Sequence, residues 1–138
     1  MRHNEPREFI GVDVGAARVG LARGSDAARI AEPLKTIEAK EALNELKVLT
    51  DTRRISGIVV GLPRGLDGQD TPQTVAVRQW VEKAKNSLNL PFYWQDEALT
   101  SHSAEQHKID PKIGADAYAA AVILQDFLDT PEAERVRC

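Results

Sequence analysis

Glu8-Phe9-Ile10-Gly11-Val12-Asp13-Val14, then Gly15-Ala16-Ala17, then Arg18-Val19-Gly20-Leu21-Ala22-Arg23 is the stretch that decides the fold. Its first seven residues are rich in β-branched and aromatic side chains and read as a strand. The three-residue link is too short for a crossover, so residues 18–23 form a second strand antiparallel to the first. Side chains alternate across a strand, which sets Asp13 on the opposite face from Val12 and Val14. A carboxylate in an otherwise apolar central strand is costly unless it is paired, hydrogen-bonded or bound to a cation. Asp13 therefore either accepts backbone hydrogen bonds in the Gly15 turn or belongs to a site.

Working outward, residues 30–37 read as a third strand, and Pro33 places it at an edge because proline cannot donate to a ladder. Residues 39–53 carry Leu43, Leu46 and Leu49 at helical spacing. Ile58-Val59-Val60-Gly61-Leu62 is a continuous apolar run of the kind found in buried parallel strands, and Pro63 ends it. Residues 71–88 form the clearest amphipathic helix, with Val77, Trp80, Val81, Ala84 and Leu88 on one face. Pro91 to Gln95 reads as the next strand, a helix starts near Thr100, and a last helix runs from Ala115 to Leu128. The order β-β-β-α-β-α-β-α-α is that of an α/β domain in which a meander precedes parallel strands. Ligands of such sheets bind beyond the carboxyl ends of the parallel strands. The whole chain, 1–138, is expected to be one domain, with residues 1–7 and 130–138 frayed.

Composition narrows the function. The 138 residues are 42% hydrophobic and 28% charged, values of a globular chain. The one cysteine, Cys138, rules out an internal disulfide and a cysteine-based zinc site. The longest apolar run, Ala117 to Leu124, is far short of the roughly 18 residues that span a bilayer, so no membrane partner is expected. The polar start, Met1-Arg2-His3-Asn4-Glu5, lacks a secretory core, which points to the cytoplasm. A net charge of −3 counts mildly against nucleic acid as a partner. Part of that charge sits in residues 126–134, which hold four acids and no base, so a basic face elsewhere is compatible with it.

Two further acids match Asp13. Asp96-Glu97 follows a strand directly, and if that strand is parallel to the first, both acidic tips share one sheet edge. Neighbours point to opposite faces, so one of the pair reaches the site and the other is solvated. Asp116 lies on the stripe of Ala120, Ile123 and Phe127, the face that packs on the sheet. A first-turn acid also suits a helix dipole, but that does not account for its place on the apolar face. Three carboxylates from distant segments, Asp13, Glu97 and Asp116, suit a hard cation, Mg²⁺ or Mn²⁺. Rival chemistry is lacking: His102 and His107 are five apart, off a common helix face, and no nucleophile elbow or Walker A loop occurs.

Four segments together resemble a known family: Gly11-Val12-Asp13-Val14-Gly15-Ala16-Ala17-Arg18-Val19-Gly20-Leu21-Ala22; Ile58-Val59-Val60-Gly61-Leu62-Pro63 with Asp67-Gly68; Asp96-Glu97-Ala98-Leu99-Thr100-Ser101 with Ala104-Glu105; and Asp116-Ala117-Tyr118-Ala119-Ala120-Ala121 through Leu124-Gln125-Asp126. In order and at near-family length, they resemble the YqgF (RuvX) family of RNase H-like nucleases. The resemblance implies a single RNase H-like domain with a five-stranded mixed sheet of order 3-2-1-4-5 flanked by helices. It implies that Asp13, Glu97 and Asp116 are the acidic triad, both catalytic and metal-holding. It implies hydrolysis of structured nucleic acid, in 5′-end maturation of pre-16S ribosomal RNA, in resolution of Holliday junctions, or in both. The chain departs from the family pattern at Ala98, where arginine is usual, and at Arg64-Gly65, where an apolar residue and asparagine are common.

The expected mechanism is metal-assisted phosphodiester hydrolysis, with Asp13 as central ligand, shared by two ions about 4 Å apart if two bind. Arg18, Arg23, Arg64, Lys108 and Lys112 are candidate phosphate contacts. The partner is then pre-rRNA or branched DNA, handled by a monomer or a homodimer. Two other readings stay open at this point: an adaptor that keeps the fold without turnover, and an actin-like nucleotide-binding half-domain.

Overall fold

The computed structural model describes residues 7–65, 67–96 and 109–138. Strands β1 (Glu8–Val14), β2 (Arg18–Ser25) and β3 (Ala31–Glu38) form the antiparallel meander. A short 3₁₀ turn, Ala39–Glu41, leads into helix α1 (Ala42–Thr52), followed by β4 (Ile55–Leu62), α2 (Pro72–Ser87) and β5 (Phe92–Asp96). Helix α3 (Ala115–Asp129), a second 3₁₀ turn (Glu132–Glu134) and a two-residue strand β6 (Val136–Arg137) complete the described elements. The sheet order is β3-β2-β1-β4-β5-β6, with β4 parallel to both β1 and β5. The helix expected near Thr100 falls outside the described residues.

Alternation along β1 sorts the molecule into two cores. Ile10, Val12 and Val14 point to one face and pack with Ile58 and Val60 under α1 and α2, through Leu46, Val77, Val81 and Ala84. Phe9 points to the other face, where Val59, Ala120, Ile123, Leu124, Phe127 and Leu128 bury it under α3. Phe9 and Phe127 meet edge to face with ring centroids 5.1 Å apart. Pro33 sits in β3, the edge strand, beside an irregularity in its register with β2. Helix α2 starts at a capping box in which Thr71 and Thr74 satisfy each other's backbone N–H groups. The fully buried Thr74 hydroxyl also donates to the Pro63 carbonyl, which fastens the helix start to the end of β4.

Two expectations are corrected. Among the described residues the sheet has six strands rather than five, and residues 130–138 are not frayed. Val136 pairs with Trp94 and Arg137 with Tyr93, and the Cys138 N–H donates to the Phe92 carbonyl. Charge holds the tail on the way there. Arg135, with its side chain 7% exposed, donates to both oxygens of Asp26 and lies 4.2 Å from the centre of the Phe127 ring. Arg7, also assigned to a frayed end, bridges Asp26 and Glu132 at 2.6 and 2.8 Å. A two-residue strand is too short to show a period, and a segment ordered by ion pairs leaves no apolar pattern in the sequence. Burial pushes the Asp26 carboxyl up, but its bonds to Arg135 and Arg7 outweigh this and hold it below the ordinary range.

Helix α3 lies close on β1 and β2 because glycine faces it. A Cβ on Gly11 would stand 2.7 Å from Leu124 Cβ and 2.9 Å from the Ala120 carbonyl oxygen. A Cβ on Gly20 would overlap the Asp116 carbonyl and stand 2.6 Å from the Ala117 nitrogen. Gly20→Ala is therefore expected to lower stability by about 1–3 kcal/mol, the usual penalty for overpacking against backbone that cannot yield. Urea unfolding measures this, and an unchanged midpoint would show that α3 does not sit on the sheet this closely.

Candidate active site

Asp13 lies near the carboxyl end of β1, directly opposite Gly20 on β2. It shares its face with Phe9 and Gly11, the face that α3 covers. Asp116 is in the first turn of α3, and the backbone of that turn presses on Gly20. The glycine that admits the helix thus also brings the two carboxylates together across one strand pair. The start of α3 is anchored from outside the helix. Gly114, with φ of 90°, leaves the N-terminus without a side-chain cap of its own. The Thr36 hydroxyl on β3 supplies one instead, accepting from the Ala117 N–H at 3.1 Å. Thr36 also occupies the space a Cβ on Gly114 would need.

The pair is short of positive charge. Desolvation, and then the charge of Asp116, push the Asp13 carboxyl up to about 6. No hydrogen bond or ion pair to the Asp13 carboxylate occurs among the described residues. Among the described residues Asp116 has a single cationic partner: Arg18 Nε donates to its Oδ2 at 3.2 Å, with the Arg18 side chain 68% exposed. Two half-buried carboxylates with one exposed guanidinium suit an oxygen-seeking divalent cation, which would offset both charges. Asp13 and Asp116 would hold it. Among the described residues no three His, Cys, Asp or Glu form a metal-holding group. Glu97, the third expected ligand, lies outside the described residues, as does Lys108.

The remaining expected site residues divide by place. Arg64 follows β4 at the same carboxyl edge as Asp13. It is held by acids, with Nε 3.7 Å from Asp96 and 4.0 Å from Asp70, and that buried Nε has no hydrogen-bond partner among the described residues. Lys112 is exposed in the turn before α3, where its N–H donates to the Asp110 carboxylate. Arg23 does not join the site. It pairs with Ile10 in the ladder, about 10 Å along the strand from Asp13, shares the opposite face with Val19 and Leu21, and contacts Glu32 at 3.5 Å. Thr36 and the Arg18–Asp116 contact were not read from the sequence. The spacing of Arg18 and Gly20, two apart and hence on one face, is the signal that carries the second.

This sheet order, with a carboxylate pair where the end of β1 meets a crossing helix, defines an RNase H-like domain. The chain belongs to the RuvX family, whose profile, described as Holliday junction resolvase, matches residues 7–130. A protein of Roseiflexus sp. (strain RS-1) named "Putative pre-16S rRNA nuclease" is 36% identical over 137 residues, spanning 92% of this chain and 97% of that protein. One of Chloroflexus aggregans with the same name is 39% identical over 133 residues, spanning 88% and 92%. Among solved structures, Thermus thermophilus RuvC in complex with a Holliday junction substrate superposes with a TM-score of 0.61 at 15% identity, covering 96% of this chain and 99% of that one. At that identity the likeness is one of fold.

The strain at Asp13 has a measurable sign. Its folded pKa of about 6 lies above the ordinary 3.8. The protonated form therefore favours the fold, and that contribution is complete below pH 4 and lost as pH rises through 6. In the absence of metal, Asp13→Asn should match wild type in acid. It should become more stable than wild type above pH 6, by on the order of 1–3 kcal/mol. Melting both proteins in EDTA from pH 4 to 8 isolates the difference. A variant less stable at every pH would mean that Asp13 is a structural acceptor.

Proposed function

We propose that this chain is a divalent-metal-dependent nuclease that hydrolyses phosphodiester bonds of structured nucleic acid, acting in the cytoplasm as one RNase H-like domain in 5′-end maturation of pre-16S rRNA. The observation that carries the reading is the meeting of Asp13 and Asp116 at the carboxyl edge of β1. The names of relatives that align along nearly their whole length support the substrate class.

Asp13 and Asp116 would hold Mg²⁺ or Mn²⁺, with Glu97 as the third ligand. Such an ion supplies a more acidic bound water and offsets charge building on the phosphoryl oxygens. The chain's own residues do the rest. Asp13, fixed by the β1–β2 ladder, and Asp116, fixed by Thr36 and the glycine contacts, keep two oxygen donors in place without rearrangement. Among the described residues, Arg18, Arg64 and Lys112 are the cations set around that edge that the nucleic acid backbone can meet. No helix among the described residues is long and apolar enough to cross a membrane. Cleavage of a four-way DNA junction is the second reading, favoured by the fold shared with RuvC.

Purified protein should cut a pre-16S leader fragment in Mg²⁺ or Mn²⁺ and lose activity in EDTA. Asp13→Asn and Asp116→Asn should each lower the rate by about a hundredfold or more. A four-way junction at equal salt is the comparison. Full cleavage in EDTA would refute the metal assignment, and symmetric cutting of the junction alone would refute the RNA assignment.

A further inference from the structure

Arg18 carries an inference that rests on the metal reading above and goes beyond it. It opens β2, and the turn before it is tight. The Gly15 N–H donates to the Arg18 carbonyl at 3.0 Å, and a Cβ on Gly15 would stand 2.6 Å from that oxygen. The backbone of Arg18 is thereby fixed just past Asp13. Arg18 and Gly20 are two apart, so the Arg18 side chain leaves the sheet on the face of Asp13 and α3.

The contact it makes there is incomplete in an informative way. Only Nε reaches Asp116, at 3.2 Å, and no partner for the two terminal nitrogens occurs among the described residues. Arginine frequently meets a carboxylate through two parallel bonds, as Arg135 meets Asp26. Here a single nitrogen is engaged, and the fork, the part that fits a phosphate, stays in solvent with the side chain 68% exposed. Two other arginines near this edge are differently committed. Arg64 lies between Asp70 and Asp96, and Arg78 contacts Asp70 at 3.7 Å and Trp94. Arg18 alone among these is bound to one of the two carboxylates that would ligate the ion.

We propose that Arg18 has two alternating partners: it neutralises Asp116 when no metal is present, competes with the divalent ion for that carboxylate, and presents its terminal N–H groups to a substrate phosphate beside the ion. Arg18 is then a substrate-contacting residue whose presence weakens metal binding by the free protein. It keeps the acid pair partly neutral until ion and nucleic acid arrive together. A purely structural arginine predicts the reverse, since removing it would loosen Asp116 and weaken the metal site.

The test is Mn²⁺ binding, followed by loss of the free-ion electron paramagnetic resonance signal, in wild type, Arg18→Gln and Asp13→Asn, without substrate. Arg18→Gln should bind Mn²⁺ about two- to fivefold more tightly, the range an exposed ion pair commands. It should bind the RNA fragment several-fold more weakly in Ca²⁺, with a smaller salt dependence. Unchanged or weaker Mn²⁺ binding by Arg18→Gln overturns the inference, as does unaltered RNA affinity. Asp13→Asn separates the two levels of failure. Mn²⁺ binding by wild type that Asp13→Asn abolishes keeps the metal reading standing whatever Arg18→Gln does. No binding by wild type removes both. Melting in EDTA should differ by only a few degrees between wild type and Arg18→Gln, because one exposed ion pair is lost.

Discussion

Everything at the site depends on how closely α3 lies on the β1–β2 hairpin. Helices and sheets normally keep their backbones apart by the bulk of two side-chain layers. Here Gly11 and Gly20 remove one layer, and Ala117 and Ala120 thin the other. The helix backbone reaches the sheet at Gly20, and the first turn of α3 is set beside the end of β1. Any larger residue at Gly20 would have to lift the helix. Asp116 would then leave Asp13, and the two carboxylates would revert to separate surface groups. The hydroxyl of Thr36, capping the helix from β3, holds the same point from the other side.

The electrostatics follow from that packing. The energy to hold two acids together comes from the apolar contacts along α3, where Ile123, Leu124, Phe127 and Leu128 are buried against Phe9, Val59 and Ala22. The site spends stability for poise, a usual trade where function needs concentrated charge. At the opposite end of the sheet the balance is reversed. Asp26 is matched by Arg135 and Arg7, and Arg7 also reaches Glu132, so charges there clamp Arg7 and the segment after α3 onto the fold. One end of β1 lies among ion pairs matched within the chain, and the other meets a carboxylate pair that shares one exposed guanidinium.

The sequence made the sheet legible because its signals are local. The alternation of β1, the three-residue turn, the proline in β3 and the apolar run of β4 each constrain a neighbour and yield a meander followed by parallel strands; the full order of the first five strands rests on the family resemblance. Asp13 stood out because an acid conflicts with its surroundings, and Asp116 because it lies on an apolar stripe. The sixth strand was illegible because two residues have no period and its attachment depends on Arg135 finding Asp26, far away in the chain. The misplacement of Arg23 has a simple cause. Charge alone was read there, whereas alternation from Val19 and Leu21 assigns it to the opposite face. Thr36 left no trace in the sequence, because a cap supplied by another element obeys no local spacing.

The most direct measurement is anomalous diffraction from crystals soaked in Mn²⁺, collected at the manganese edge. The account predicts a peak within coordinating distance of both Asp13 and Asp116, absent from crystals of Asp13→Asn. Crystals at saturating Mn²⁺ with no peak between these carboxylates, or with Arg18 still on Asp116 and the ion bound elsewhere, would contradict it.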